Sequence, residues 1–426
     1  MSSQQSTANS PRKSQRHRWL WLAGILPLVA LGVWGGWEWS IHRFTESCRV
    51  AQEEHRWNDL EGISRRWSWY DPSSAEPWVY LADAVQHQER YVEAAEYLAR
   101  VPQHSPEYLP AQLGRAKILF GPANRPFDGE DACREILSHE PLVGGAHELL
   151  IQFYAVTLQR TKLREQVKSA IQVGREPRDA FVYYFLIDTL RLGEGVSLNG
   201  LWLNSYPDDE ILSVAQMLHG DDAAHSYVAS PESVADDMLS SLGTPDQRTT
   251  ESNAVADAGI STLTIKEHAA RQLLERFPHN ANLLAYLADQ ELAKGNVDQV
   301  IKLLAQTQPD TEADPRFWRF KGWVHFTRKE YPEAESAYRK ALSIHPLDWL
   351  TMHRLAEILR IRGLTDEVTR LEKLVDRAHE LRPRIRELRN VRDSPVPLLK
   401  EIGRFARDAG DSLIADALTK RLGSLE

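Results

Sequence analysis

The chain has 426 residues, 42% hydrophobic and 26% charged, a balance that belongs to an ordered protein and excludes an intrinsically disordered one. Its formal net charge of −9 at pH 7 argues against general nucleic-acid binding, which needs a basic face. The length is too great for one conventional core, and the two cysteines, Cys48 and Cys133, read as small buried hydrophobes rather than a disulfide.

Residues 1–18 are polar and carry Arg12, Lys13, Arg16 and Arg18 against no acid, which reads as a disordered basic tail. Residues 19–37, WLWLAGILPLVALGVWGGW, contain no charge. At about 1.5 Å per residue such a helix covers roughly 28 Å, close to the ~30 Å hydrocarbon core of a bilayer. Trp19 and Trp21 mark one end and Trp34, Trp37 and Trp39 the other, as an interfacial belt requires. Residues 38–56 hold three basic and four acidic side chains, so the positive flank precedes the run. Residues 19–39 are therefore expected to form a transmembrane helix in a plasma (inner) membrane, with the N-terminus cytoplasmic and the rest extracytoplasmic. The rival reading is a cleaved signal peptide, which has a shorter apolar region and a small-residue cleavage site. Here the run ends in Gly-Gly-Trp-Glu-Trp.

From residue 41 onward, matching residue types recur 34 positions apart. Phe44, Cys48, Trp57, Leu60 and Pro72 pair with Trp78, Ala82, Tyr91, Ala94 and Pro106. Residues 41–74, 75–108, 109–142 and 143–178 form four units, the third with an enlarged turn, GPANRPFDG. Residues 179–208 are degenerate: Tyr183, Leu186 and Leu190 share one helical face, Leu198 and Trp202 a second. Residues 209–219 read as a first helix, completing an N-terminal array over 41–219. Its partner is displaced by an insertion at 220–262, which holds eight acidic residues against Arg248 alone and is expected to be flexible. The partner resumes at 263–277, opening a C-terminal array over 263–383. Units at 281–314, 315–348 and 349–383 give the triplets Leu284/Trp318/Met352, Ala288/Gly322/Ala356 and Val300/Ala334/Val368. Residues 395–423 supply a closing pair whose polar side (Lys400, Glu401, Arg404, Arg407, Asp408) suits a terminal cap. Within the repeats, small residues mark close helix approaches and Trp or Tyr fill the gaps. Asp314 followed by Pro315 reads as an N-cap and first helical residue, and Pro346 as a stop.

This pattern resembles the tetratricopeptide repeat (TPR) family, helix–turn–helix units of 34 residues. The best copy is 315–348, where Trp318, Gly322, Tyr331, Ala334, Tyr338, Ala341 and Pro346 match; Lys321 and His325 stand where leucine and tyrosine are usual. The resemblance, to bacterial single-span membrane-anchored TPR proteins in particular, implies an all-α, right-handed superhelix. About nine to ten helix pairs would follow the one N-terminal transmembrane helix. It also implies a non-enzymatic scaffold whose concave groove binds proteins or peptides through its first helices. The second, fifth, ninth and twelfth places of two units then select Arg316, Arg319, Trp323 and Phe326, and Leu350, His353, Glu357 and Arg360. We take Arg316, Arg319, Trp323, Phe326, His353 and Arg360 as candidate partner-binding residues, suited to an acidic or C-terminal-carboxylate peptide because guanidinium forks pair with carboxylates. The peptide-clamping members use lysine and asparagine where Arg319 and His353 stand, so that clamp is not expected here. The bland alternative is an ordinary solvated helix face.

No phosphate-cradling or nucleophile-elbow motif occurs. His147-Glu148 and His379-Glu380 lack the second histidine of a helical zinc site, and most histidines read as solvated or capping, His139, His279 and His345 among them. No catalytic residue, metal or cofactor is expected, although an enzyme with dispersed site residues and a purely structural spacer stay open as alternatives. Residues 315–393 carry a net of +6, so the acidic insertion is read either as a cover for that groove or as a plain linker. Trp57, Trp67, Trp69 and Trp78 read as a stacked interface, with Trp69 and Tyr70 fitting the repeat least and expected to face the membrane.

Overall fold

The computed structural model describes residues 37–220, 262–388 and 391–423, in two compact units, one ending at Ala111 and the other beginning at Gln112. The basic tail, nearly all of the apolar run and nearly all of the acidic insertion lie outside the described residues. Among the described residues no helix is long and apolar enough to cross a membrane, no strand occurs, and twenty α-helices follow one another.

The first unit contains α1 (residues 37–53), α2 (Trp57–Tyr70), α3 (Glu76–Gln86) and α4 (Tyr91–Leu98), and α5 (Tyr108–Phe120) carries the chain into the second. There follow α6 (Pro126–His139), α7 (Gly144–Val156), α8 (Arg160–Gln172), α9 (Arg178–Leu186), α10 (Gly193–Leu203) and α11 (Glu210–His219). Beyond the insertion come α12 (Thr262–Arg276), α13 (Ala281–Ala293), α14 (Val297–Leu304), α15 (Pro315–Thr327), α16 (Tyr331–Ile344), α17 (Trp349–Ile361) and α18 (Thr365–Arg386). A closing pair, α19 (Val396–Ala409) and α20 (Ser412–Leu422), ends the described chain.

The 34-residue period has a backbone counterpart. The turn inside a pair reverses direction through one residue with positive φ: His55, Glu89, Asn124, Leu158, Gly295, Lys329, Gly363 and Gly410. His55 and Glu89, Asn124 and Leu158, and Gly295, Lys329 and Gly363 are each spaced by 34. Five of the eight are not glycine, so they hold a conformation that costs an L-residue about 1–2 kcal/mol. The first helices of three successive pairs are likewise capped at one period: the side chains of Asn280, Asp314 and Asp348 accept backbone N–H groups at the starts of α13, α15 and α17. Gly322 lets α15 approach α16, since a Cβ there would lie 2.5 Å from the ring of Tyr338.

The core of the first unit is Cys48, Ala51, Leu60, Trp67 and Ala84, with Ile41, Phe44, Trp57, Ile63 and Tyr80 packed against it. Phe44 stacks on Trp67 with ring centroids 6.0 Å apart. The Cys48 sulfur lies 3.4 Å from the Ser64 hydroxyl, and burial raises its thiol pKa; Cys133 is equally sealed, and its thiol is pushed up to about 12. Both cysteines are free and serve packing. Trp67 is the buried member of the tryptophan group, whereas Trp57 stacks on His87 and Trp69 stands in the open.

In the second unit α9 departs from the hairpin rule. Every residue from Asp179 to Leu186 is buried, because a helix reading AFVYYFL is apolar on all sides and must be surrounded. It packs against α7, α8, α19 and the short turn Val391–Asp393, while α20 packs on α8. The closing pair is therefore bound to the middle of its own unit and does not simply cover the last repeat.

Candidate functional site

The first helices α13, α15 and α17 were the expected groove wall, and their inner face is where the sequence candidates fall. The structure places Arg316 and Arg319 inside the protein, each 5% exposed, and Trp323 is buried with them. Arg316 grips the N-cap Asp314 with two donors, Nε at 3.0 Å and Nη2 at 2.6 Å, and its Nη2 also donates to Asn282 Oδ1 at 3.0 Å. Arg319 donates through Nη1 to the next N-cap, Asp348, at 2.8 Å, and the same nitrogen lies 3.7 Å from Asp188 beyond α9. Asp348 also accepts from the backbone and hydroxyl of Thr351. Arg160, at the start of α8, donates to the Ile187 carbonyl at 2.9 Å and to Asn282 Oδ1 at 2.5 Å. Arg164 reaches the carbonyl of Ala313. The basic groove proposed from sequence is thus corrected: these arginines form a buried ionic layer that joins α8 and α9 to α13, α15 and α17.

Electrostatics follow from that enclosure. Burial alone would raise the carboxyls, but Arg316 holds Asp314 below the usual range and Arg319 does the same for Asp348. Asp188 has the weaker partner at 3.7 Å; burial, with the nearby Asp348 charge, pushes it up to about 6. Arg160 is lowered well below its ordinary value by burial and by Arg316 and Arg191, and its bonds go to neutral oxygens. Asp289 is open to solvent, yet the surrounding fold raises its pKa against the pull of Arg319 and Arg316. The layer offers matched charges and bidentate geometry and no nucleophile–base pair, so its chemistry is cohesion.

Further contacts close the inner face. The Tyr184 hydroxyl donates to Asp411 at 2.9 Å, and Phe185 meets Phe405 edge-on at 5.4 Å. Arg421 donates to the Glu176 carbonyl at 2.5 Å, and Arg392 lies 3.4 Å from Glu148. His345 is sealed beside Tyr184, where burial lowers its pKa to about 4, and it stands at the C-cap of α16; of the two readings, solvated or capping, the structure has the capping one. His219 is sealed too: its Nδ1 accepts from the Leu192 amide at 3.1 Å and its Nε2 lies 2.7 Å from the Val156 carbonyl, tying α11 to α7 with a neutral ring. Of the remaining candidates, Phe326 is half-buried against Tyr331, and His353 and Arg360 are exposed on α17. Those two already face Glu357 and Glu372, so the structure does not unite the six candidates in one basic surface.

Sequence reading missed an acidic pair on α9 and α10. Asp179 is 1% and Glu194 7% exposed, and among the described residues neither carboxyl has a hydrogen-bond partner. Burial pushes Asp179 up to about 6, helped by Glu148 and opposed by Arg392; it pushes Glu194 up to about 7, opposed by Arg392 and helped by Asp179. The sequence signal was an acid in the first turn of each of two apolar helices. Among the described residues no group of three or more histidine, cysteine or acidic side chains could hold a metal ion.

Family models described as tetratricopeptide repeat match residues 267–324 and 301–348, the stretch that contains α13 to α16. No curated protein matches. Among solved structures, a tetratricopeptide repeat protein from Parabacteroides merdae is 10% identical over 75% of this chain and 98% of its own, with a TM-score of 0.25. The TPR domain of P58(IPK) is 14% identical over 90% of this chain and 98% of its own, at 0.26. Human IFIT1, solved as a dimer with PPP-AAAA, is 13% identical over 88% and 75%, at 0.28. Identities and scores this low carry no argument about arrangement or ligand. With the family models lying on packed helical pairs that keep the 34-residue period in their caps and turns, the chain carries tetratricopeptide repeats over residues 267–348.

Proposed function

We propose that this protein is a membrane-tethered TPR scaffold that gathers or positions other proteins at the extracytoplasmic face of a bacterial membrane. The observation that carries the scaffold reading is the tandem array of TPR hairpins itself, since such repeats generally bind protein partners. The tether rests on the uncharged run at 19–37 and on the basic excess before it. With Arg316, Arg319 and Trp323 buried, a partner is directed to exposed surfaces, of which the His353 and Arg360 side of α17 is one. An acidic peptide would there compete with Glu357 and Glu372 for the cations. The absence of catalysis belongs to the same reading. One observation favours a cryptic activity instead, the acid pair Asp179 and Glu194, but both carboxyls are closed off from substrate. A reporter active only in the cytoplasm, fused after Glu426, should stay silent, and the chain should resist carbonate extraction. A bright reporter overturns the topology, and extraction overturns the tether.

A further inference from the structure

Trp69 is 85% exposed and Trp39 63%. Each forgoes the burial of an indole, which on its own favours removal from water. Their placement is set by the first hairpin. Trp37, at the start of α1, stacks on Tyr70 at the end of α2 with centroids 4.5 Å apart, and Phe44 meets the same ring at 5.9 Å. The end of α2 is thereby returned to Trp37, where the chain leaves the apolar run 19–37, and the exposed Trp69 is the residue just before Tyr70 at that end. Arg43 lies over the Trp39 ring at 5.5 Å. The charges of this end, Glu38 and Asp71 against Arg43 and Arg66, are balanced, so attraction to anionic lipid has no net source.

We infer that Trp37, Trp39 and Trp69 seat the first helical pair in the headgroup region of the lipid bilayer, fixing the orientation of that pair on the membrane. Tryptophan prefers this depth because its ring is apolar and its N–H polar. The inference rests on the tethered reading above. It differs from it in requiring a second contact, 32 residues after Trp37, that a flexible stalk would not make. Cys48 and Cys133 are buried with raised thiol pKa values, so an introduced surface cysteine can be labelled selectively.

The test uses the full chain in lipid nanodiscs, with Trp69→Cys or Trp39→Cys carrying an environment-sensitive fluorophore and a nitroxide on the lipid headgroup as quencher. Asn58→Cys is the control, roughly 16 Å away along α2. The expected result is blue-shifted emission at 69 and 39 and quenching several-fold stronger than at 58, unchanged when anionic lipid replaces zwitterionic lipid. Equal quenching at 69 and 58 in chains that hold the discs overturns the inference and leaves the tether intact. A blue shift at 69 without quenching means that protein covers the tryptophan, and also overturns it. Failure of the chain to associate with discs overturns both readings.

Discussion

Removing the Arg319 guanidinium should unfold the repeats around it. Arg319 is 5% exposed, bonded to Asp348 at 2.8 Å and 3.7 Å from Asp188, and both acids are closed off from water. In Arg319→Ala two buried carboxyls lose their shared cation, and breaking a buried pair from one side costs about 3–5 kcal/mol. Asp188 can limit its part of the loss by protonating, since burial already holds it at about 6. Asp348 relies on Arg319 more, which places the estimate in that range and not below it. With a urea slope of up to about 3 kcal/mol per molar, the midpoint should fall by about 1–2 M. In a repeat array the loss is local first, so amide exchange in α15 and α17 should accelerate before the rest of the second unit. Arg360→Ala, on the exposed face of the neighbouring helix, is the control and should leave the midpoint nearly unchanged. A midpoint for Arg319→Ala as close to the parent as that of Arg360→Ala would refute the buried-layer account and restore the open groove.

Other outcomes follow from the same contacts. Gly322→Ala should destabilise by about 1–3 kcal/mol in urea melts, because its Cβ would meet the fully buried Tyr338 ring at 2.5 Å; a neutral result would mean that α15 and α16 stand further apart. Lys329→Gly should stabilise by about 0.5–1 kcal/mol, relief of its φ of 63° being partly offset by a freer unfolded chain, whereas Lys329→Val should destabilise; the reverse order would contradict the turn geometry. Asp179 and Glu194 have folded pKa values raised to about 6 and 7, so their carboxyls are tolerated below about pH 4 and the stability they allow is lost as pH rises through 6 and 7. At about 1.4 kcal/mol per pH unit each charge costs about 3 kcal/mol at pH 8. Asp179→Asn and Glu194→Gln should therefore stabilise the protein at pH 8 and not at pH 4, and an equal effect at both values would exclude the mechanism.

Local features of the fold were open to a sequence reader, and the closure of the second unit was not. The period that aligns Ala288, Gly322 and Ala356 also aligns the caps Asn280, Asp314 and Asp348 and the reversing residues Gly295, Lys329 and Gly363. Those are consequences of one hairpin, repeated. The groove candidates failed at Arg316, Arg319 and Trp323 because the place rule assumes an open stack with solvent on its inner face. Arg319 instead finds Asp188, 131 residues earlier and outside the clean repeats. Part of this was legible: Asp314 and Asp348 at two of the caps and Arg319 in the fifth place of the unit between them put a cation and two acids in one repeat. So was Ala180 to Leu186, a run with no polar side toward which solvent could lie. What periodicity cannot supply is which distant surface covers such a helix, and here that surface is the closing pair.

Amine crosslinking with mass spectrometry in native membranes tests the central claim most directly, because one experiment reads both the closed inner face and the bound partners. Lys168 lies on α8 and Lys420 on α20, two helices in contact, so an intramolecular link between them should appear, together with links from outward lysines to one or a few envelope proteins. No Lys168–Lys420 link, or a membrane-bound chain that links to nothing but itself, would contradict the account of a self-closed TPR scaffold.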